Sequence, residues 1–534
     1  MTATVRAMSE ENPTKPLFED RKTSELLRVT NTSELVIALC GPMGSPLHNV
    51  AETIKDALVD KYGYEKCAVV RLSDFIRAHF EKVGEPDAIP AEPKSAKIEA
   101  LINCGDKMRD QFGASILADL AISEIRIDRE KQGKSGDQYV GRRVCHIVDS
   151  IKNQAELDLL REVYREVLYV VGVFSPVSVR EQRMRADGFE SEKIHWLMEK
   201  DAAGDAPHGQ TVSDTFPQSD FFLRMDTSST SELSLRVERF LDLILGAKII
   251  TPTSEESAMY AAASAASNSA CLSRQVGAAV TDAQGKVLAV GWNDVPRPFG
   301  GLYQTDPEND ARNAKDLRCY NKDGGKCFND EEKDLLADSL TKTLGEDIIP
   351  AGKRELAVER LTSDRKIKGL IEFSRAIHAE MHAILNALRV AGDRVRGGSI
   401  FVTTYPCHGC ARHIIAAGIA NVYYIEPYKK SLATKLHDDA ITERESDTHL
   451  VRILPYEGVA PSRYLSIFKM KPNSRKAKGK VIKIASKVAR PRLERSLQSM
   501  PELEGLVVKS LVERGLIGEV SSARSSTDDG PKAA

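Results

Sequence analysis

The chain has 534 residues, 42% of them hydrophobic and 28% charged, with a formal net charge of −2. That length exceeds what one compact core supports, so two or more domains are expected, and the composition excludes a disordered or fibrous chain. The balanced charge argues against a nucleic-acid polymer as the main ligand, because proteins that bind one usually carry a strong basic excess.

The opening stretch, 1–30, is polar and mixed in charge, without the apolar core of a secretory signal. No window offers the roughly 18 uninterrupted apolar residues of a membrane span. Nine cysteines without a signal read as reduced thiols and candidate metal ligands, not as a disulfide framework. These features predict a cytoplasmic protein with no membrane partner.

Leu35-Val36-Ile37-Ala38-Leu39-Cys40 reads as a buried strand running into Gly41-Pro42-Met43-Gly44-Ser45-Pro46 and then a helical pattern over about 48–61. Strand, glycine turn and helix open a βαβ unit. Further apolar runs at 67–72, 144–148 and 167–173 alternate with charged helical stretches, which predicts a mostly parallel sheet covered on both faces. This first domain spans 31–250.

The turn after the first strand stands where a phosphate-binding loop would. A working loop, G-x-x-x-x-G-K-[ST], needs a second glycine, a lysine for charge and a hydroxyl for magnesium. Pro46, Leu47 and His48 hold those three places here, so phosphoryl transfer is not expected. Helix N-terminal geometry alone still holds anions. Gly41, Gly44, Ser45 and Asp149, the acidic residue that closes the run from Val144, are therefore candidate contacts for a regulatory nucleotide.

A second domain, 251–470, opens with a small-residue helix over 255–273. Strands follow at 276–282 and 287–292 around a turn at Gly285, then a long polar insert over 296–368. A helix at 376–391, a strand at 399–404, a helix at 410–417 and a strand at 421–425 complete an α/β sandwich around one mixed sheet. Beyond Met470, Lys471, Arg475, Lys476, Lys478 and Lys480 crowd together, and 471–534 reads as a basic, partly disordered tail. It is either solvated or an arm that contacts nucleotide or nucleic acid.

The strongest chemical signal is His378-Ala379-Glu380 followed by Pro406-Cys407-His408-Gly409-Cys410. Two cysteines in C-x-x-C spacing point both sulfurs at one metal, and a histidine makes three protein ligands. The fourth tetrahedral position stays open for water, as in a catalytic zinc site. His378, Cys407 and Cys410 are the expected Zn2+ ligands. Glu380, too near His378 to be a comfortable co-ligand, is placed to move the water's proton. The competing reading is a structural zinc completed by His382 or His408. His-Ala-Glu-Met-His is not the H-E-x-x-H of a metalloprotease.

H-x-E…P-C-x-x-C is the signature of the zinc nucleobase deaminases. With it, residues 251–467 resemble the deoxycytidylate deaminase family: Leu272-Ser273-Arg274-Gln275-Val276-Gly277-Ala278 resembles its first helix-to-strand junction, and Gly291-Trp292-Asn293 its substrate loop. The resemblance implies that Asn293 bonds the sugar hydroxyl; the other reading is a turn-stabilising asparagine. Arg274 and Lys429 are phosphate candidates, or plain surface charges. Tyr405 packs on the base, or is a buried aromatic without a ligand contact. Cys319 and Cys327 in the insert would be simple thiols, a second metal site or a regulatory pair.

Asp149 together with Arg180, Arg183 and Arg185 gives the first domain a likeness to nucleoside monophosphate kinases, whose lid arginines the latter three resemble. A degenerate kinase-like domain ahead of such a deaminase resembles the bacterial anti-phage deoxycytidine nucleotide deaminases. That resemblance implies hydrolysis of dCTP or dCMP to the uracil nucleotide plus ammonia, depleting a DNA precursor during infection. It also implies a gating first domain and a homo-oligomer. Two other functions stay open: a polynucleotide cytosine deaminase and a non-catalytic nucleotide-sensing module.

Overall fold

The computed structural model describes residues 30–84, 89–131, 134–135, 138–139, 141–202, 209–226, 230–305, 316–427, 431–470, 472, 474–493 and 495–518. Two six-stranded sheets organise them.

The first is doubly wound. Strand β1 (Leu35–Cys40) has six buried side chains, as an all-apolar run covered on both faces requires. It leads through the glycine turn into α1 (Leu47–Asp60), then β2 (Lys66–Arg71), α2 (Lys94–Phe112) and α3 (Ile116–Lys131). Next come β3 (Val144–Ile151), α4 (Gln154–Tyr164), β4 (Leu168–Phe174), α5 (Val177–Ala186), α6 (Ser191–Ala202), β5 (Phe221–Arg224) and α7 (Thr230–Leu245). The parallel order is β2-β3-β1-β4-β5, so the chain reverses direction across the sheet at β1, and the loop 41–46 opens at that switch point. The doubly wound, mostly parallel sheet expected from the sequence is present. β5 is four residues long, too short for periodicity to reveal.

The second unit begins at α8 (Ser254–Ala266), whose N-cap Thr253 forms a capping box with Glu256. This helix was expected to run to 273. It stops at Ala266 because Asn268 and Ser269 turn their side chains to nearby backbone, Asn268 to Ala265 O and Ser269 to Cys271 N. β6 (Gly277–Thr281) and β7 (Val287–Trp292) form the expected antiparallel hairpin, with Gly285 at φ +79°. The insert folds partly into α9 (Phe328–Ile348) and α10 (Arg354–Ser363). Then come α11 (Ala379–Ala391), β8 (Ser399–Thr404), α12 (His408–Ala416), β9 (Asn421–Glu426), β10 (Ile441–Thr442) and β11 (Val451–Pro455). The sheet order is β10-β11-β9-β8-β6-β7, antiparallel in its β6–β8 pairing and parallel from β8 through β10. This is the mixed sheet of the expected sandwich.

Two glycines let helices lie directly on that hairpin. A Cβ at Gly277 would stand 1.9 Å from Ala262 O, and one at Gly291 would stand 2.3 Å from Ala383 N. Both obstacles are backbone, so neither can swing away. Gly291→Ala is expected to lower stability by about 1–3 kcal/mol or more, read as a fall in the thermal midpoint. An unchanged midpoint would mean that α11 is not seated on β7.

The units are joined by backbone pairing. β12 (Gly458–Val459) adds antiparallel to β5, on the edge of the first sheet. Beside it, buried Glu256 accepts the Val459 N–H and two bonds from Arg239 of α7. After Met470 the chain forms an exposed basic hairpin in which Lys476–Ala477 pairs with Lys480–Val481. It then returns to the first unit, where α13 (Met500–Glu513) packs on α3. There Arg129 donates to Glu504 through Nε and Nη2 and to Glu34 through Nη1, all at 2.9 Å, and all three residues are buried. Among the described residues no helix is long and apolar enough to cross a membrane.

Candidate active site

The site is built at two helix N-termini. β8 ends at Thr404, and Tyr405-Pro406 turns the chain so that Cys407 becomes the N-cap of α12 (φ −72°, ψ 165°). His378 is the N-cap of α11 (φ −73°, ψ 152°). Nδ1 of His378 lies 3.3 Å from the sulfurs of both Cys407 and Cys410, and the Cys410 N–H points at the Cys407 sulfur, 3.4 Å away. The three donor atoms lie within 4.8 Å of one another, the only such group found among the described residues. The positive ends of two sets of aligned peptide dipoles therefore meet where anionic ligands are needed.

The electrostatics follow from that meeting. Hydrogen bonding from Cys410, then the interaction with His378, brings the Cys407 thiol down to about 4. The bond to Cys407 raises His378 to about 9 against the cost of burial. Cys410 is pushed up, first by its bond to Cys407 and then by burial. Two sulfurs and an imidazole make a soft and borderline donor set that fits a tetrahedral zinc ion with one position free.

His382 and His408, the alternative fourth ligands, are engaged elsewhere. His382 Nδ1 accepts the Trp292 N–H at 3.2 Å and its ring packs edge-on against the Trp292 indole, while His408 lies 3.6 Å from Glu372. Glu380, in the first turn of α11, is only 4% exposed, and burial raises its carboxyl. A buried carboxylate with a raised proton affinity suits a group that must take a proton and give it back. Held by His378, Cys407 and Cys410, zinc would acidify a water toward neutrality and so supply a nucleophile.

Residues 252–426 match the family model described as the cytidine and deoxycytidylate deaminase zinc-binding region. His378, Glu380, Cys407 and Cys410 all fall inside that match. The deoxycytidylate deaminase of phage T4 is 44% identical over 55 residues, 10% of this chain and 28% of that protein. The chain spans under a third of the length of the deaminase-region relatives it matches. A UPF0200 protein of Pyrococcus horikoshii is 22% identical over 214 residues, 40% of this chain and 98% of that protein. A solved dCMP deaminase of cyanophage S-TIM5, in complex with dCMP and dUMP, is 18% identical and covers 39% of this chain and 99% of its own, at a TM-score of 0.23.

Around this centre Asn293, Arg274 and Tyr405 gather at one end of the sheet, with their polar groups already engaged. Asn293 is buried; its amide oxygen accepts from Val276 N at 2.7 Å and its amide nitrogen donates to Arg274 O at 2.8 Å. The asparagine thus ties the start of β6 to the end of β7. Arg274 is exposed and pairs with Glu426 at 2.9 Å. Tyr405 is buried, donates its hydroxyl to Glu443 at 2.9 Å and sets its ring edge-on to Tyr424. Lys429 lies outside the described residues.

Two carboxylates absent from the sequence reading, Glu426 and Glu443, therefore organise the turn. Glu426 also receives the Tyr405 N–H and the Thr404 hydroxyl, through its carbonyl and carboxylate respectively. In the insert, Cys319 faces Cys271, Cys327 and Arg375, and Cys327 lies 3.7 Å from the Ser273 hydroxyl; every cysteine is a free thiol.

In the first unit the loop is held by the chain's own side chains. Lys152 Nζ donates to Gly41 O at 3.0 Å and pairs with Asp201 at 2.7 Å, while the Met43 N–H donates to the other Asp201 oxygen at 2.8 Å. The carboxylate of Asp201 thus takes the backbone donor that a phosphate would seek. Gly44 has φ +82°, and a Cβ there would meet Arg180 Cβ at 2.8 Å. Ser45 donates its N–H to Pro42 O. Asp149 is raised by burial against the charges of His48, Lys152 and Arg71. Arg180 and Arg183 donate to Ser175, and exposed Arg185 pairs with Glu181.

Proposed function

We propose that the chain hydrolyses the exocyclic amine of a deoxycytidine nucleotide, dCTP or dCMP, giving the deoxyuridine nucleotide and ammonia. The observation that carries this reading is the convergence of His378, Cys407 and Cys410 with the buried Glu380 in the adjoining helical turn. Three ligands leave room for a water, and Glu380 is the neighbouring group able to handle its protons. The carboxylate takes a proton as water oxygen bonds to C4 of the cytosine and delivers it to the ring nitrogen N3. The second water proton, now on the C4 hydroxyl, passes through the same carboxyl to the amine; C4=O forms as the C4–N bond breaks, and ammonia leaves. The family region and the name of the phage T4 relative support a cytosine nucleotide as the substrate class.

Asn293 is proposed to receive the sugar, Arg274 and Lys429 the phosphates, and Tyr405 to pack on the base. Nucleotide at Gly41, Gly44, Ser45 and Asp149 would have to displace the carboxylate of Asp201. The likeness to the anti-phage nucleotide deaminases supports depletion of dCTP as defence against phage, with the first unit as gate, in a cytoplasmic homo-oligomer.

The test is a panel of dCTP, dCMP, CTP, deoxycytidine and cytosine-bearing single-stranded DNA offered to the full chain, followed by ammonia release. A deoxycytidine nucleotide should be turned over at least about tenfold faster, per kcat/KM, than the polymer or the free nucleoside, because the phosphate contacts add roughly 1.4 kcal/mol or more in the transition state. Faster turnover of the polymer would transfer the reading to a polynucleotide deaminase acting through the basic hairpin at 476–481.

A further inference from the structure

The strand end that pairs with the segment before His378 carries a buried carboxylate, and the charge facing it comes from the insert. Asp294, two residues past β7, is 1% exposed. Its Oδ2 accepts the Ala270 N–H at 3.0 Å, its Oδ1 the Val295 N–H at 2.8 Å, and its carbonyl the Ile377 N–H at 3.0 Å. Ile377 directly precedes His378, and positions 294 and 377 form an antiparallel bridge. Arg318, in the insert and 4% exposed, sets Nη1 3.7 Å from the Asp294 carboxylate. Its other donors stay inside the insert: Nε and Nη2 bond Asp316 at 3.0 and 2.7 Å, and Nη2 also reaches the Thr305 hydroxyl at 3.2 Å. The Tyr320 hydroxyl closes this knot on Asp316 at 2.8 Å. A second tie runs from Arg375, three residues before His378, whose Nη1 donates to Leu317 O at 3.1 Å.

We propose that Arg318 is a positioning residue for the zinc centre, holding Asp294 and with it the backbone pairing that places His378 at the start of α11. The insert is then part of the frame of the site and not an addition to it. The physical ground is the cost of a buried carboxylate. Without Arg318, Asp294 keeps its two backbone donors but loses the facing positive charge, and the group must turn toward water. That turn draws on Ala270 and on the bridge to Ile377, so His378 shifts from its 3.3 Å contacts with the sulfurs of Cys407 and Cys410. Asn293, the adjoining residue, moves with the same strand end, and it ties Val276 to Arg274. Groups that orient a metal ligand from behind commonly set metal affinity or turnover by about 10- to 100-fold.

The effect on turnover rests on the deaminase reading above, whereas the effect on metal retention does not. The test uses the full zinc-loaded chain with Arg318→Met, Asp294→Asn and the two together. Three quantities are read: the rate of zinc loss to a chelator, hydrogen exchange in the peptide carrying Ile377, and kcat with KM on the best deoxycytidine nucleotide. Arg318→Met should speed zinc loss about tenfold and lower kcat about tenfold. Exchange at Ile377 should rise while exchange in β1 of the first unit stays as in the wild type. Asp294→Asn removes the charge that Arg318 balances, so the double variant should be no worse than the poorer single by more than about twofold.

Arg318→Lys keeps a charge opposite Asp294 but loses the fork on Asp316. It should show smaller losses with the same non-additivity, and it carries the cycle alone if Arg318→Met does not fold. Unchanged zinc loss in the folded Arg318 variant, or losses that multiply with those of Asp294→Asn, would overturn the proposal. So would exchange that rises over α9 and α10 but not at Ile377, which would leave Arg318 a prop for the insert alone. A wild-type chain silent on every nucleotide would sink the deaminase reading, and zinc loss and exchange would still decide the positioning.

Discussion

Glu380→Gln is expected to retain the fold and one zinc per chain while lowering deoxycytidine nucleotide turnover by about 10²- to 10⁴-fold. Glutamine keeps the size of the side chain in a position that is 4% exposed, so packing is preserved. What it loses is the ability to take the water's proton and return it to the base. The raised proton affinity that burial gives Glu380 is the property of a shuttle, since a fully acidic carboxyl would hold the proton too weakly to donate it. The measurement is ammonia release beside metal analysis and a thermal melt. A variant with normal zinc content and more than about a tenth of wild-type turnover would remove Glu380 from the reaction.

The second large effect concerns stability. Arg129→Met should destabilise the first unit by about 3–5 kcal/mol, because it leaves Glu504, fully buried, without its paired donor and strips Glu34 of one of two arginines. Glu34 keeps Arg142, so most of the loss falls on Glu504 and thus on the docking of α13. Denaturant unfolding should show an earlier first transition, with residues 495–518 becoming open to proteolysis. A shift below about 1 kcal/mol would mean that the C-terminal helix contributes little to the first unit, despite the buried network.

The contrast between these two sites shows what the amino-acid order makes legible. His378 and Glu380 are two residues apart at the start of one helix, and Cys407 and Cys410 one turn apart at the start of another, so local geometry alone aims all four side chains. The first sheet was legible for a similar reason: its central strand is an unbroken apolar run followed by glycine. β5 and β12 were not, because strands of four and two residues carry no period. Nor was the pairing of Arg129 with Glu504, separated by 375 positions, visible in a stretch whose composition suggests a solvated tail.

Asn293 and Tyr405 illustrate a subtler limit. Residue type and resemblance marked both for substrate, and in the structure their polar groups hold backbone and Glu443. Glu443 lies 38 positions from Tyr405, beside a two-residue strand, with no local pattern to set it apart. The degenerate loop adds a chemical lesson. A lysine does reach the loop, Lys152 just after β3, but its ammonium is spent on Gly41 O and Asp201.

The most direct test of the central claim is to incubate the zinc-loaded full chain with dCTP and dCMP in ¹⁸O-labelled water and analyse the products by mass spectrometry. The account predicts a uracil nucleotide carrying one labelled oxygen at C4 and one ammonia for each molecule formed, abolished by a zinc chelator and restored by added zinc. Unlabelled product, no product from either nucleotide, or undiminished turnover after the zinc has been stripped would contradict it.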